Sequence, residues 1–272
     1  MIKASNGLRK EQGPVQIGEG VYWVGYSDPH FGAYCNPYLI IEGNEAVVID
    51  SGSRPDFPTV MMKILQTGVA PSAIVALIYQ HYDPDLCGSI PHFESIIARD
   101  DLKVIGDASD MMFLRHYSVA SPLYSLEQLG HEFRFATGRR LKFVNTPYCH
   151  TSGSYMTFDE KTKILFTGDL FGSYSDKWEL FMNLKPLCKS CDDYEHCSMD
   201  GRHCPIPDIV RFHRKIFPST KSLKLALKRI SEIPFAIIAP QHGSIANAMD
   251  AEVILAKLSA LKDVGIDGIV QS

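Results

Sequence analysis

An α/β sandwich is predicted by three features of the sequence. Short Val-, Ile- and Tyr-rich runs read as strands, segments of helical spacing lie between them, and that alternation recurs in two similar halves. The chain has 272 residues, 45% of them hydrophobic and 21% charged, enough for one large domain with a sizeable buried core.

The first half opens with strands. Val21–Tyr26, Tyr38–Glu42 and Ala46–Asp50 are rich in β-formers and separated by turn residues, with Gly43–Asn44 as a hairpin signal. Phe57–Thr67 has helical spacing. Ile74–Gln80 is a continuous apolar run, fit for a strand buried on both faces, and it leads directly into His81. Gly88–Ala98 returns to helical spacing and Lys103–Ile105 to a short strand. The middle, Asp107–Arg134, reads as helical and loop-like. The second half repeats the scheme with strands Arg140–Asn145, Ser154–Phe158 and Lys163–Thr167, the last two joined as a hairpin. Residues 174–208 break the pattern and are polar and rich in Cys, Asp and His. Helical spacing returns at Lys221–Ile230, a last strand Ala236–Pro240 delivers His242, and Asp250–Leu261 closes the domain as a helix. Residues 1–262 are therefore expected to be one domain with an insert at about 174–208, and 263–272 the start of a linker.

Composition narrows the function. A net charge of -4 gives no basic footprint for nucleic acid. No run of about 18 apolar residues suggests a membrane span. The polar N-terminus lacks the apolar core of a signal peptide, so a cytoplasmic protein is expected.

Four strand ends carry side chains that bind metals. His81-Tyr-Asp83-Pro-Asp85 follows Ile74–Gln80, Cys149-His150 follows Arg140–Asn145, Asp169 follows Lys163–Thr167, and His242 follows Ala236–Pro240. Loops leaving a sheet at strand carboxyl ends can aim such groups into one cleft. Taken singly, a histidine is more often an ordinary surface or core residue, and an aspartate after a strand more often a helix cap. Six such groups at four strand ends favour a metal centre, because clustered carboxylates repel unless a cation lies between them. His30, His92, His116, His131 and His213 lie in less suggestive settings and read as ordinary.

Seven cysteines are present. Cys35, Cys87 and Cys149 are scattered and read as core packing. Cys188, Cys191, Cys197 and Cys204 fall within 17 residues, as Cys-x2-Cys-x5-Cys-x6-Cys-Pro. In a reducing compartment such a cluster favours metal ligation over disulfides. The closing Cys-Pro fits an iron–sulfur run, read as [4Fe–4S], and the alternative is structural zinc.

The four metal-bearing segments, in this order, resemble the metallo-β-lactamase superfamily over nearly the whole chain. That resemblance implies a metallo-β-lactamase-like αββα four-layer sandwich. The superfamily's HxHxDH motif is altered here, with Asp83 at the second His position and Leu86 at the last. Both changes count against a zinc-dependent hydrolase, which stays as the alternative. His81-x-Asp83-x-Asp85 looks like the HxExDH version of the flavodiiron, oxygen-binding di-iron branch. Tyr34–Ile40 (YCNPYLI), Phe166–Gly172 (FTGDLFG) and Pro240–Ile245 (PQHGSI) resemble that branch as well.

Carried over by residue, the resemblance gives one iron to His81, Asp83 and His150 and the other to Asp85 and His242, with Asp169 bridging. Leu86 leaves the second iron short of a nitrogen. A His and carboxylate shell with open positions suits a redox-active iron. The implied function is binding of O2, NO or peroxide by a di-iron centre, as a sensor module or as a reductase. No Gly-rich phosphate loop follows a strand, and no flavodoxin-like domain lies in these residues. Electrons are then expected from the insert, a fused domain or a redox partner, and the resemblance also implies a homodimer.

Overall fold

The computed structural model describes residues 13–28, 33–175, 177–192 and 204–270. Its centre is a pair of stacked sheets. The first runs in the order Val15–Gly18, Val21–Trp23, Tyr38–Glu42, Glu45–Ile49, Ile74–Ile78, Lys103–Gly106, Leu123–Ser125. Its first four strands pair antiparallel and the rest parallel. The second sheet runs Glu132–Arg134, Arg140–Asn145, Tyr155–Asp159, Ile164–Phe166, Ile237–Ala239, Ala246–Asn247. One parallel pair, Ile164–Phe166 with Ile237–Ala239, interrupts its antiparallel order.

The period of two along each strand sorts side chains into layers. Tyr38 and Ile40 point between the sheets with Val47, Ile49, Ile78, Tyr155 and Phe166. Leu39, Val48 and Leu77 point the other way, onto Val60, Ile64, Phe93 and Ile97 of the helices Phe57–Gln66 and Ile90–Ile97. On the far side, Met156, Phe158, Leu165 and Ile238 meet the helices Ile206–Ile216, Thr220–Ser231 and Ala248–Ser259. Three buried clusters thus separate four layers, helix, sheet, sheet and helix, as expected. Strands buried on both faces explain the unbroken apolar runs such as Ile74–Ile78.

Three segments differ from their sequence reading. Within Asp107–Arg134 the short helix Met111–Leu114 is joined by two edge strands, Leu123–Ser125 and Glu132–Arg134, one in each sheet. Strands of three residues are too short to show alternation. The helix Ile206–Ile216 starts within the expected insert, with its proline in the first turn, where the missing N–H costs no hydrogen bond. Residues 263–270, expected as the start of a linker, carry the helix Ile266–Val270. It is tied down where Gly265 N donates to Arg214 O and Ile266 N to Pro218 O, at 2.9 and 3.0 Å. No helix among the described residues is long and apolar enough to cross a membrane.

Candidate metal centre

All four strand ends meet at one edge of the sandwich. His81 and Asp169 are buried, His242 is buried, and His150, Asp83 and Asp85 are partly exposed. His150 Nε2 lies 3.2 Å from Asp83 Oδ2 and 3.0 Å from Asp169 Oδ2. His81 Nε2 is 3.9 Å from Asp83 Oδ2 and 3.8 Å from Asp169 Oδ1. His242 Nε2 is 3.1 Å from Asp85 Oδ2 and 3.6 Å from Asp169 Oδ1. Asp169 therefore stands between two groups, its Oδ2 toward His150 and its Oδ1 between His81 and His242. All six residues singled out in the sequence are brought together.

The donor set fits metal. Ligands at about 2.0–2.2 Å from one ion stand roughly 3–4 Å apart, the spacing found here. Asp169 Oδ1 is buried and has no hydrogen-bond partner among the described residues, which is costly unless a cation lies beside it. Without one, protons on the imidazoles take the cation's place. Burial opposes charge on His150, but hydrogen bonds to Asp169 and Asp83 raise it to about 10. Burial likewise opposes charge on His242, which Asp85 nevertheless raises well above its ordinary value. Asp169 is held below the usual carboxylate range, against burial, by His81 and His150.

The loops are fixed from below. Asp50 accepts from Gln80 N at 3.0 Å and from Gln80 Nε2 at 3.1 Å, setting the residue before His81. Thr151 N donates to Ser154 Oγ at 3.0 Å and Tyr148 N to Thr151 O at 2.7 Å, closing the turn that presents His150. Asn36 Nδ2 donates to Pro240 O and Gly243 O, both at 2.9 Å, clamping the residues on either side of His242. Tyr38 OH adds a bond to Pro240 O at 2.8 Å. Gly243 has φ of +86°, and a Cβ there would meet Ser173 Oγ at 2.5 Å, so glycine is required.

Sequence reasoning missed three residues. Cys35, expected to be core packing, instead lies half-buried beside the centre, its Sγ 4.0 Å from Asp85 Oδ2. The Cys35, Asp85 and His242 donor atoms lie within 4.8 Å of one another, as do those of His81, His150 and Asp169. Burial pushes the Cys35 thiol up, against the pull of a hydrogen bond to His242. Tyr174 packs its ring 5.0 Å from that of His242 and 4.8 Å from that of Phe212, covering one side. His213, read as ordinary, is fully buried behind the Asp169 loop. Its Nδ1 donates to Ile209 O at 2.7 Å and its Nε2 accepts from Phe171 N at 3.2 Å. A lone Cys, Tyr or His carries no periodic signal, so no pattern marked them. Cys87 and Cys149 are buried as expected, their thiols bonded to His81 O and Ser222 O, both at 3.4 Å. Leu86 is buried in the outer core and offers no donor.

Burial lowers His213 from the ordinary histidine value to about 4. The unfolded chain takes up this proton near pH 6.5, but the folded one only near 4. Its contribution to stability is complete above pH 6.5 and is lost between 6.5 and 4, at up to about 1.4 kcal/mol per pH unit. Metal-free His213→Asn protein should show a flatter decline of unfolding free energy over that window than the parent. Equal slopes would remove the buried neutral imidazole from the account.

In the four-cysteine segment, Cys188 and Cys204 pack against the helical core of the second sheet, while Cys197 lies outside the described residues. Among the described residues, Cys188, Cys191 and Cys204 do not form a converging trio of ligand atoms like the two at the strand ends.

The chain is similar to known proteins in fold and sequence. A diiron species of the chemotaxis sensor ODP superposes with a TM-score of 0.73 at 22% identity, covering 95% of this chain and 98% of that one. The flavodiiron protein of Giardia intestinalis superposes with a TM-score of 0.73 at 18% identity, covering 90% of this chain and 58% of that one. A putative diflavin flavoprotein A 2 of Synechocystis sp. is 27% identical over 209 residues, 76% of this chain. The chain spans about a third of the length of that relative. The profile described as "ODP family beta lactamase" matches residues 33–243. With well over half of its length matched, the protein belongs to the ODP family of β-lactamase-fold domains.

Proposed function

We propose that the chain holds two irons at the strand-end centre and uses them to bind a small oxidant, O2 foremost, with NO and peroxide in the same class. The observation that carries this reading is the bridging position of Asp169, a buried carboxylate facing a separate ligand group on each side. Family membership and the diiron and flavodiiron neighbours support it. His81, Asp83 and His150 would hold one iron with Asp169, and Asp85 and His242 the other. Two ferrous ions held there would supply two electrons to a bound oxidant.

The protein's own residues govern metal loading and ligand access. Oxygen and imidazole donors suit a hard, redox-active ion. Loading requires His150 and His242 to give up the protons they hold in the metal-free state, so affinity drops as the pH drops. Tyr174 and Phe212 keep water off the His242 side, while the partly exposed Asp83, Asp85 and His150 face the open side, where a small ligand arrives.

Anaerobic loading should yield two irons per chain and an absorbance change on admission of air. Full loading without that change would refute the reading, and two zincs in place of iron in the protein as isolated from cells would favour the hydrolase alternative. Repeated O2 consumption with an artificial donor identifies a reductase; a single oxidation identifies a sensor, the role named for the ODP neighbour. The finer reading gives the four cysteines an iron–sulfur cluster or zinc. Its support is their spacing and the packing of Cys188 and Cys204 against one core cluster. A redox partner or a fused domain, and self-association as a homodimer, complete it.

A further inference from the structure

The two metal positions are not equally supplied. The first is faced by His81, Asp83 and His150. The second is faced by Asp85 and His242, since Leu86 points into the outer core. We infer that Cys35 is a ligand of the second metal, its thiolate filling the place that Leu86 leaves, an inference that rests on the two-metal reading of this centre.

Three observations place the sulfur there. The donor atoms of Cys35, Asp85 and His242 lie within 4.8 Å of one another, the same envelope that holds His81, His150 and Asp169. Between the two groups sits Asp169 Oδ1, buried and without a hydrogen-bond partner among the described residues, 3.6 Å from His242 Nε2 and 3.8 Å from His81 Nε2. A buried acceptor left bare between two ligand groups points to a cation on each side. The backbone then holds the thiol in place. Asn36, the next residue, is buried and hydrogen-bonded to the carbonyls of Pro240 and Gly243 on either side of His242. From behind, Gly25 allows close approach, because a Cβ there would meet Cys35 O at 2.4 Å. Cys35 and His242 are thus tied to one rigid unit.

On binding, the thiol releases its proton to solvent and the sulfur lone pair enters the metal bond, with no change of oxidation state. A thiolate donor makes the second position softer than the first, so the two ions differ in affinity and in charge-transfer absorption.

The test compares the full-length parent and Cys35→Ser, each loaded with zinc, by metal count and zinc-edge X-ray absorption. The parent should show one more sulfur neighbour per chain, at about 2.3 Å, than the variant. The second zinc should bind the variant at least about tenfold more weakly, the low end of what losing even an outer partner of a ligand costs. Because the comparison is a difference, sulfur from the other cysteines cancels. Equal sulfur counts with two zincs in both proteins overturn the inference and leave the two-metal reading standing. Failure of the parent to hold two zincs at the strand ends overturns both. Alkylation of the parent with iodoacetamide, mapped by mass spectrometry, needs no variant. Saturating zinc should slow labelling of Cys35 at least tenfold, and labelling indifferent to zinc overturns the inference.

Discussion

Asp169→Ala should empty both metal positions at once. Parent protein loaded anaerobically should carry two irons, and the variant well under one, with the oxygen-dependent absorbance change gone. Substitutions facing one side only, such as Asp85→Ala, should cost one iron and leave the other. The difference follows from geometry: Asp169 alone faces both groups, its Oδ1 lying between His81 and His242 and its Oδ2 toward His150. The variant should still fold, because among the described residues the Asp169 side chain contacts the site imidazoles and carries no backbone hydrogen bond of its own loop, whose turn is closed by Gly172 N donating to Asp169 O. Removing the carboxylate withdraws the charge that raises His150 to about 10, so this imidazole should titrate lower. The sign for the metal-free parent is then fixed. A histidine raised in the folded state adds stability that is full below about pH 6.5 and vanishes as pH rises through about 10. Asp169→Ala should weaken that dependence, with Asp83 still 3.2 Å from the ring, and His150 ring signals in NMR titrations would track the change. Retention of two irons by the variant would break the bridging assignment.

Much of this was legible in the sequence, for a physical reason. Strands buried on both faces must be apolar throughout, so Ile74–Ile78 and Ile164–Phe166 announce themselves. Five of the six ligand candidates were legible because they follow closely on apolar strand runs, and His150 because it follows the alternating strand Arg140–Asn145. The edge strands Leu123–Ser125 and Glu132–Arg134 were not, since three residues with one partner strand carry little pattern. Cys35 was not legible because its neighbourhood is made by contacts across the chain. Asn36 joins it to a loop more than 200 positions away, which no local window contains. The helix Ile206–Ile216 was obscured by a proline that acts as a breaker inside helices and as a starter at their first turn.

Arg139→Ala should cost about 3–5 kcal/mol of stability while leaving metal stoichiometry intact, the loss typical of a buried ion pair deprived of one partner. Arg139 sits just before the strand Arg140–Asn145, at the edge opposite the metal centre. Its guanidinium grips Asp159 in a fork, Nε to Oδ1 at 3.0 Å and Nη2 to Oδ2 at 2.5 Å, with Asp159 wholly buried. Nη1 reaches across to the first sheet, to Glu42 Oε2 at 3.0 Å and Glu19 O at 3.2 Å. One side chain thereby fastens the two sheets together. Alanine would strand the Asp159 carboxylate with only its local donors, Lys161 N, Thr162 N and Thr162 Oγ1. Replacing both partners, as in Arg139→Met with Asp159→Leu, removes the desolvation cost along with the attraction, so the double variant should recover much of the loss. Urea unfolding of the three proteins decides it. A single variant within about 1 kcal/mol of the parent would mean that Asp159 finds solvent or a proton easily, and that the sheets are held by apolar contact alone. The expected result assigns the two edges different tasks. The far edge binds the sheets through a satisfied ion pair. The near edge gathers carboxylates and imidazoles that satisfy one another only through protons, and it therefore has room for metal.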